Sequence, residues 1–301
     1  MQERVIDLLE RTAPLTGSEI HEALGGETFA VWKACMLSPR LVTRRVGRRY
    51  LRVDRRVDGY ARLSPSILRE FLTYTVVGLS QDPAAIELRS QELQAHVKNV
   101  SQKKLELATR IVTDIAARFT VEADGEKRFC AVLAGDIVYE MAHDVNRPER
   151  STGGMVRGSD LDIVVIVSDD APGELVTQLD EAIYQEKFRY LKNPAFREEI
   201  DYVVKRFSRL REQAEFDTVR RMVACKIFDE AVLLCGSTGL FAAGKALLDE
   251  RGIIDRLRAM EECAIRAREQ DERYLLATDE RALRGEDFSV FCTGDEAEEF
   301  E

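Results

Sequence analysis

The sequence predicts an α/β (α+β) protein, with a mixed sheet flanked by helices in its second half and a smaller helical domain followed by long helices in its first half. Short apolar runs alternate with helical patterns from residue 127 onward, which is typical of a sheet covered by helices. Three short helical patterns precede an arginine-rich segment near the start of the chain. With 45% hydrophobic residues among 301, the chain can form more than one core.

Composition excludes several classes of protein. No apolar window approaches the roughly 18 residues of a membrane helix, and the first residues lack the pattern of a signal peptide, so we expect a cytoplasmic protein without a membrane partner. The six cysteines are scattered without a CxxC pair, which argues against a zinc site or a disulfide framework. A net charge of −10 argues against a generic nucleic-acid binder. The sequence does not indicate the oligomeric state.

Residues 1–62 are predicted to form the first domain. A helical apolar pattern covers 2–12, a capping box at Thr16 to Glu19 begins a second helix, and 27–37 forms a third. The pattern then changes to alternation over 41–53, with a glycine that can turn the chain. We therefore predict three short helices followed by a β-hairpin.

This order of elements resembles a winged helix-turn-helix, which implies that the hairpin is the wing and contacts the phosphates of RNA or DNA. Between residues 36 and 62 the chain has nine arginines and two acids. The hairpin arginines expected to bind nucleic acid are Arg44, Arg45, Arg48 and Arg49. Two alternatives stay open: winged helices also dock proteins, and an arginine run can be a solvated face or pair with the acidic remainder of the chain.

Two helical segments and a tail surround the second domain. Residues 63–122 are predicted to be a helical connector, with helices that begin near two prolines, and 256–284 are predicted to be C-terminal helices. Residues 285–301 carry acids and no base, which is typical of a disordered tail. Opposite charges suggest that this tail folds back on the arginine-rich hairpin.

Residues 123–255 are predicted to form the second domain. Strands are expected over 128–134, 160–167 and 198–207, with helices over 136–144 and 173–192. The run of five β-branched residues in the second strand indicates a central strand covered on both faces.

Two aspartates begin that central strand. Asp160 and Asp162 project to the same side because side chains alternate along a strand, and two adjacent carboxylates repel unless a cation lies between them. Mg²⁺ (or Mn²⁺) prefers such oxygen ligands. Asp201, in the third strand, can join them if the two strands are neighbours, and three carboxylates can hold two ions. The alternative is that the aspartates mark only the solvated start of a strand.

These residues resemble the DNA polymerase beta-like nucleotidyltransferase superfamily. The similarity lies in Ser159-Asp160-Leu161-Asp162-Ile163 and Ile200-Asp201-Tyr202, and it extends over about residues 125–255. It implies a transferase that moves a nucleoside monophosphate from a nucleoside triphosphate such as ATP onto an acceptor hydroxyl. The catalytic and metal-binding residues that it implies are Asp160, Asp162 and Asp201.

The element that binds phosphate in that superfamily, a Gly-Ser pair after the first strand, departs from the pattern here. Gly135-Asp136 occupies its place, and an aspartate there would repel a triphosphate. Alternatively, the loop over 151–159 makes these contacts through Ser151, Gly153, Gly154 and Ser159, helped by Arg157. The candidate nucleotide-binding residues are Gly135, Asp136, Arg157, Gly158 and Ser159.

A second glycine-rich segment, GLFAAGKA at 239–246, fits the first part of a P-loop. Ala246 replaces the Ser or Thr that binds Mg²⁺, and no parallel sheet follows. We therefore predict a helix in which Gly244 permits close packing.

Two functions follow from the sequence. The first is a metal-dependent nucleotidyltransferase, with an RNA acceptor favoured by the winged-helix resemblance and a protein acceptor still open. The second is a winged-helix regulator that binds nucleic acid and whose nucleotidyltransferase domain is degenerate and senses nucleotide, which Asp136 would favour. Catalysis needs all three aspartates, whereas a sensor tolerates the loss of Asp201.

Overall fold

The computed structural model describes residues 1–119, 128–149, 154–279 and 289–292. These residues form a mixed α/β structure with four small sheets, and the chain divides into two compact units. The first unit consists of Met1–Tyr50, Arg62–Val97 and Cys263–Glu301, and the second of Leu51–Ala61 and Lys98–Glu262. This division differs from the predicted boundaries at residues 62, 122 and 255.

The first half of the chain contains five α-helices and five strands among its described residues. They are α1 (Gln2–Arg11), β1 (Leu15–Thr16), α2 (Gly17–Leu24), α3 (Thr28–Leu37), β2 (Leu41–Arg45), β3 (Tyr50–Val53), β4 (Ala61–Ser64), α4 (Ile67–Tyr74), β5 (Thr75–Leu79) and α5 (Pro83–Ala116). The capping box is confirmed, since the Glu19 amide donates to the Thr16 hydroxyl and the Thr16 amide donates to the Glu19 carboxylate. The three predicted N-terminal helices are therefore present.

The predicted hairpin is wrong, although both of its strands exist. β2 pairs antiparallel with β5, in a sheet of order β1-β5-β2, while β3 pairs with β4. The missing partner was β5, whose Val76 and Val77 are fully buried and offer β2 an apolar neighbour. Because β5 is the middle strand of this sheet, residues 63–79 are part of the first unit and not a connector.

Most of the predicted disordered tail, residues 285–288 and 293–301, lies outside the described residues. The predicted contact between the acids of this tail and the arginine-rich segment therefore also lies outside them. Residues 289–292 are described, and Phe291 is buried in the core of the first unit. Its ring lies 5.2 Å from that of Phe29 and 5.3 Å from that of Trp32. This short segment is therefore folded.

The second half contains six strands and five helices among its described residues. They are β6 (Phe129–Ala134), β7 (Asn146–Pro148), β8 (Met155–Arg157), β9 (Leu161–Val167), α6 (Gly173–Lys192), β10 (Ile200–Arg206), α7 (Phe207–Gln213), α8 (Val219–Glu230), β11 (Val232–Gly236), α9 (Thr238–Glu250) and α10 (Ile253–Ala277). The three predicted strands and the predicted helix over 173–192 are confirmed.

The sheet of the second unit has the order β10-β9-β6-β11. β9 is parallel to β10 and antiparallel to β6, so β9 is an inner strand as predicted. On one face of β9, the side chains of Leu161, Ile163 and Val165 lie in a core cluster with apolar residues of α5 and α6. The alternate side chains, which begin with Asp162, project from the other face.

The predicted helix over 136–144 is wrong, because these residues form successive turns. Gly135 and Glu140 have positive φ values of 77° and 56°, which a right-handed helix cannot contain. The amides of Ala142 and His143 bond instead to the hydroxyls of Ser101 and Ser159. The segment thereby leads the chain from the end of β6 toward the start of β9.

Residues 239–246 lie in α9, as predicted. A Cβ atom on Gly244 would be 2.4 Å from the Phe228 ring, so this glycine allows the helix to approach α8 closely. Among the described residues, we find no helix with the length and apolar character needed to cross a membrane.

Candidate metal centre

The parallel pairing of β9 and β10 brings the predicted aspartates together. Asp162 is the register partner of Asp201, and the Leu161 amide donates to the Glu199 carbonyl at 2.9 Å, one step earlier. Because alternate residues of a strand share a face, Asp160 and Asp162 lie on the same face as Glu199 and Asp201. The start of these two strands is thus lined by four carboxylates.

Three of these carboxylates form a set that could hold a metal ion. One oxygen from each of Asp160, Glu199 and Asp201 lies within 4.8 Å of the other two. Sequence reasoning missed Glu199, although Glu199-Ile200-Asp201 has the same spacing of two as the aspartates of β9. That spacing, in a predicted strand, is the signal that would have found it.

Arg147 is the second residue that sequence reasoning missed. Its guanidinium forms ion pairs with Asp160 and with Glu199, the latter at 3.0 Å, and its Nε donates to the Gly158 carbonyl at 3.0 Å. The side chains of Arg147 and Glu199 are each 8% exposed, and that of Asp160 is 29% exposed. Asp160 and Glu199 therefore already share one cation. Arg147 lies in β7 with no distinctive motif around it, so the sequence contained no signal for this role.

Asp162 has a different environment. Burial, followed by the negative charges of Asp136 and Asp201, raises the pKa of Asp162 to about 7, while the charge of Arg52 acts in the opposite direction. No hydrogen bond or ion pair reaches the Asp162 carboxylate from the residues that the structure describes. Ionised Asp162 thus lies among like charges that are only partly balanced.

Gly135 provides the space for Asp162. A Cβ atom at this position would lie 2.2 Å from Asp162 Oδ2, and the backbone there has a φ of +77°. Both observations require glycine, because a side chain would overlap the carboxylate and disfavour the conformation. Gly135 therefore shapes the site through its lack of a side chain.

The amides of three candidate nucleotide-binding residues are already used within the protein. The amide of Gly135 donates to Glu230 Oε1 at 3.0 Å, and those of Gly158 and Ser159 donate to the carbonyls of Val145 and His143. A phosphate would have to displace these acceptors. In this structure the amides of Gly135, Gly158 and Ser159 therefore do not form an open phosphate cradle.

The side chains of the predicted phosphate loop are also partly occupied. The Ser159 hydroxyl donates to Asp136 Oδ2 at 2.9 Å, so the serine is directed toward the aspartate that departs from the family pattern. Arg157 is exposed, pairs with Asp144 at 4.0 Å, and can still reach a ligand. Ser151 and Gly153 lie outside the described residues, and the Gly154 carbonyl accepts from the Glu149 amide.

Lys187 adds a cation at the exposed edge of the site. Its Nζ donates to Asp201 Oδ1 at 3.1 Å, and it reaches the start of β10 from α6. The Asp201 side chain is 55% exposed and that of Lys187 is 25% exposed, so the carboxylate is the more accessible of the two to a ligand in solution.

The arginines expected to contact nucleic acid are engaged with acids of the first unit. Arg44 pairs with Glu87 at 2.8 Å and Arg45 with Glu70 at 3.5 Å, while Arg48 is exposed. Arg49 is mostly buried and is bound by the carboxylates of Glu70 and Glu272, both at 2.6 Å. The expectation that Arg49 faces external phosphates is therefore wrong, and pairing with acids of the chain explains much of the arginine run.

Comparison of the chain with protein-family models, with curated proteins and with solved structures found no match. The class of protein therefore follows from the fold and the site. It is a mixed α/β protein in which the inner and edge strands of one sheet begin with a cluster of carboxylates that could hold a metal ion.

Proposed function

We propose that the protein is a metal-dependent nucleotidyltransferase that moves a nucleoside monophosphate from a nucleoside triphosphate to an acceptor hydroxyl in the cytoplasm and releases pyrophosphate. The observation that carries this proposal is the parallel register of β9 and β10, which makes Asp162 and Asp201 direct neighbours. That neighbourhood supports the family resemblance of the Asp160-Leu161-Asp162 and Ile200-Asp201-Tyr202 segments.

The donor set fits a hard divalent cation such as Mg²⁺ or Mn²⁺. All four carboxylates offer oxygen ligands. Burial and then the negative charges of Asp136 and Asp201 raise the pKa of Asp162, and a cation would balance these charges. We assign Asp162 and Asp201 as the main ligands, since Arg147 already balances Asp160 and Glu199. Asp160 and Glu199 would complete a second site when Arg147 moves away from them.

The chain's own residues have distinct parts in the proposed reaction. Bound metal ions would activate the acceptor hydroxyl and balance the charge of the triphosphate. Asp201 is exposed, so we assign it to receive the proton of the acceptor hydroxyl. Arg157 is exposed and Lys187 is partly exposed beside Asp201, and we assign both to contact phosphate oxygens.

The first unit supports a nucleic-acid acceptor in a limited way. The order α1, β1, α2, α3, β2 and β5, with the sheet order β1-β5-β2, supports the proposed winged helix. Arg44, Arg45 and Arg48 remain exposed and are the arginines that we propose for phosphate contact. Their ion pairs with acids would have to be exchanged for phosphates.

Label transfer from each of four α-phosphate-labelled nucleoside triphosphates, with Mg²⁺ or Mn²⁺, onto cellular RNA and protein tests the proposal. We expect label with the native chain and a loss of at least about 100-fold in Asp162→Asn and Asp201→Asn, because both carboxylates contact the reacting groups. Asp114→Asn, an exposed helical aspartate of the same unit, is the matched control and should retain full transfer.

The regulator alternative is favoured by one observation, the use of the Gly135, Gly158 and Ser159 amides within the protein. In that case no label is transferred by the folded native chain, while labelled nucleotide is retained in equilibrium dialysis and Asp201→Asn retains it equally. Neither transfer nor retention of any nucleotide would contradict both functions.

A further inference from the structure

The sheet of the second unit ends in two edge strands, β10 and β11, which differ in regularity. The register of β11 with β6 shifts between Leu233 and Cys235, so β11 contains an irregularity, and the strand ends at Gly236. β10 pairs with β9 over all seven of its residues without a shift, and it contains no proline or glycine. Bulges and prolines keep edge strands from pairing with other chains, so β10 lacks the protection that β11 has.

The outer side of β10 carries backbone groups without partners. The Leu161 amide of β9 donates to the Glu199 carbonyl, and in a parallel pair the residues that bond to the neighbouring strand alternate. From residue 201 to 205, the odd-numbered residues therefore bond to β9, whereas Tyr202 and Val204 direct their amides and carbonyls outward. In the part of the chain that the structure describes, no hydrogen bond reaches these outward groups.

Exposed apolar side chains lie on both faces of this edge. Val203, at the middle of β10, is 44% exposed. Tyr184 of α6 is also exposed, and its ring lies 4.8 Å from that of Phe188. The Tyr202 hydroxyl donates to the Asp180 carbonyl of the same helix at 3.3 Å, so these aromatic rings lie beside β10. A strand added to β10 would cover apolar surface as well as satisfy its backbone.

The sequence of β10 is complementary to itself in antiparallel orientation. When Val203 lies opposite the same residue of a second copy, Tyr202 lies opposite Val204. The outward amides and carbonyls of these two residues then face one another, which is the arrangement of a hydrogen-bonded antiparallel pair. Asp201 lies opposite Lys205 in the same register, so opposite charges meet on either side of the axis.

The environment of Lys205 favours this register. Its ammonium donates to the neutral side-chain amide of Gln213 at 2.5 Å, and no carboxylate of the described residues forms an ion pair with it. Burial lowers the pKa of Lys205 to about 8. A carboxylate opposite Lys205 would favour its charged form. A register with its axis at Asp201 would instead place two aspartates opposite one another, which is unfavourable.

We propose that two copies of the chain associate through antiparallel pairing of β10, with a two-fold axis at Val203. The two four-stranded sheets then become one sheet of eight strands. Each copy uses the same patch, so the association closes at the dimer. Because Asp201 belongs to the carboxylate cluster, the partner strand borders the candidate metal site, but the pairing does not depend on the proposed transferase reaction.

Sedimentation velocity of the full chain over a range of micromolar concentrations tests this proposal. We expect the native chain to form a species of twice 34.1 kDa that dissociates on dilution. Val203→Lys places like charges on the axis and should raise the Kd of the dimer by at least about tenfold. Val232→Lys, at an exposed valine of the other edge strand, is the matched control and should associate as the native chain does.

A mixture of two variants tests whether Val203 faces its own copy. Val203→Lys and Val203→Glu should each associate weakly alone, whereas the mixture should recover much of the native affinity, because opposite charges then meet on the axis.

A proline tests the backbone contribution. Val204→Pro removes an outward amide, which the outer side of an edge strand tolerates within one copy, and it should weaken association. Val204→Ala keeps this amide and is its control. Circular dichroism checks that every variant is folded.

Three results would overturn the proposal. One is a native chain that stays monomeric at all concentrations; slow exchange of the Tyr202 and Val204 amides in that monomer would mean that another segment of the same chain covers the edge. Another is equal association of Val203→Lys and Val232→Lys, which would place the interface elsewhere. The third is a mixture of the Val203 variants that associates no better than either variant alone.

Discussion

Glu70 in the first unit and Asp162 in the second are both carboxylates surrounded by protein, yet their pKa values shift in opposite directions. Burial by itself would raise the pKa of Glu70, but hydrogen bonds from Arg49 and the charges of Arg268 and Arg45 outweigh it, so the pKa is lowered. Around Asp162, burial acts together with the charges of Asp136 and Asp201, and the pKa rises to about 7. The difference lies in the neighbours and not in the degree of burial.

This comparison distinguishes a structural charge cluster from a binding site. The arginines around Glu70 balance its charge within the protein, so the network is complete in the folded chain. The acids around Asp162 leave charge unbalanced, which costs stability and is typical of a site whose counter-charge comes from a ligand. The following predictions test the two environments, from the largest expected effect to the smallest.

Glu70→Gln should destabilise the first unit most. The substitution leaves Arg49 and Arg268 without their shared carboxylate, and loss of one partner from a buried ion pair lowers the free energy of unfolding by about 3–5 kcal/mol at pH 7. Urea unfolding followed by Trp32 fluorescence reports on this unit. Because the folded-state pKa of Glu70 is lowered, its stabilisation is present above its ordinary value of 4.5 and is lost as the pH falls through the folded value.

Glu10→Gln is the control for this prediction. Glu10 also pairs with an arginine, Arg40, at 2.6 Å, but both side chains are about half exposed. Exposed pairs contribute about 0–1 kcal/mol, so the variant should unfold nearly as the native chain does. If both variants lose the same stability, the network around Glu70 is not the structural cluster that we infer.

Arg147→Met should destabilise the second unit by about 2–4 kcal/mol, because Asp160 and Glu199 then face one another without a cation. Mn²⁺ should restore much of this loss, since a divalent cation can replace the guanidinium. Hydrogen exchange of the β9 amides, with and without Mn²⁺, measures both effects. Arg157→Met, at an exposed arginine nearby, is the control and should show neither the loss of stability nor an effect of Mn²⁺. If Mn²⁺ does not reverse the loss of stability in Arg147→Met, this result would argue against metal binding by Asp160 and Glu199.

Asp162→Asn should stabilise the second unit at pH 8, by about 1–2 kcal/mol, because the variant removes an unbalanced charge of similar size and shape. The folded-state pKa of Asp162 is raised, so the native chain loses stability as the pH rises from the ordinary value of 3.8 to about 7. Native and variant should therefore differ at pH 8 and converge at pH 4. Urea unfolding followed by circular dichroism at the two pH values checks this, and a variant that is less stable at pH 8 would mean that Asp162 is already balanced.

Sequence patterns identified the elements of the second unit better than those of the first. The run of β-branched residues in β9 and the aspartate between two hydrophobic residues in β10 are local signals, and both strands formed where predicted. β5 was missed because its five residues follow α4 directly and carry no turn residue between them. Because β5 was not predicted, β3 was the nearest strand that could pair with β2, and a hairpin of these two strands was predicted wrongly.

In the candidate site, too, local features could be predicted from the sequence and contacts between distant segments could not. Alternation along a strand already implied that Asp160 and Asp162 share a face, because that depends on local backbone geometry alone. The neighbours of these residues depend on contacts between distant segments: the register with Asp201, the guanidinium of Arg147 and the acceptor of the Gly135 amide.

The amino-acid sequence by itself determined where the main strands and helices lie and which residues could supply carboxylate ligands, since propensity and periodicity act over a few residues. Only the tertiary structure decided which strands pair and which charges meet. Long-range contacts balance Arg49 with Glu70 and Glu272, and Arg147 with Asp160 and Glu199. They leave Asp162 among like charges, because electrostatic energies depend on distance and burial and not on separation along the chain.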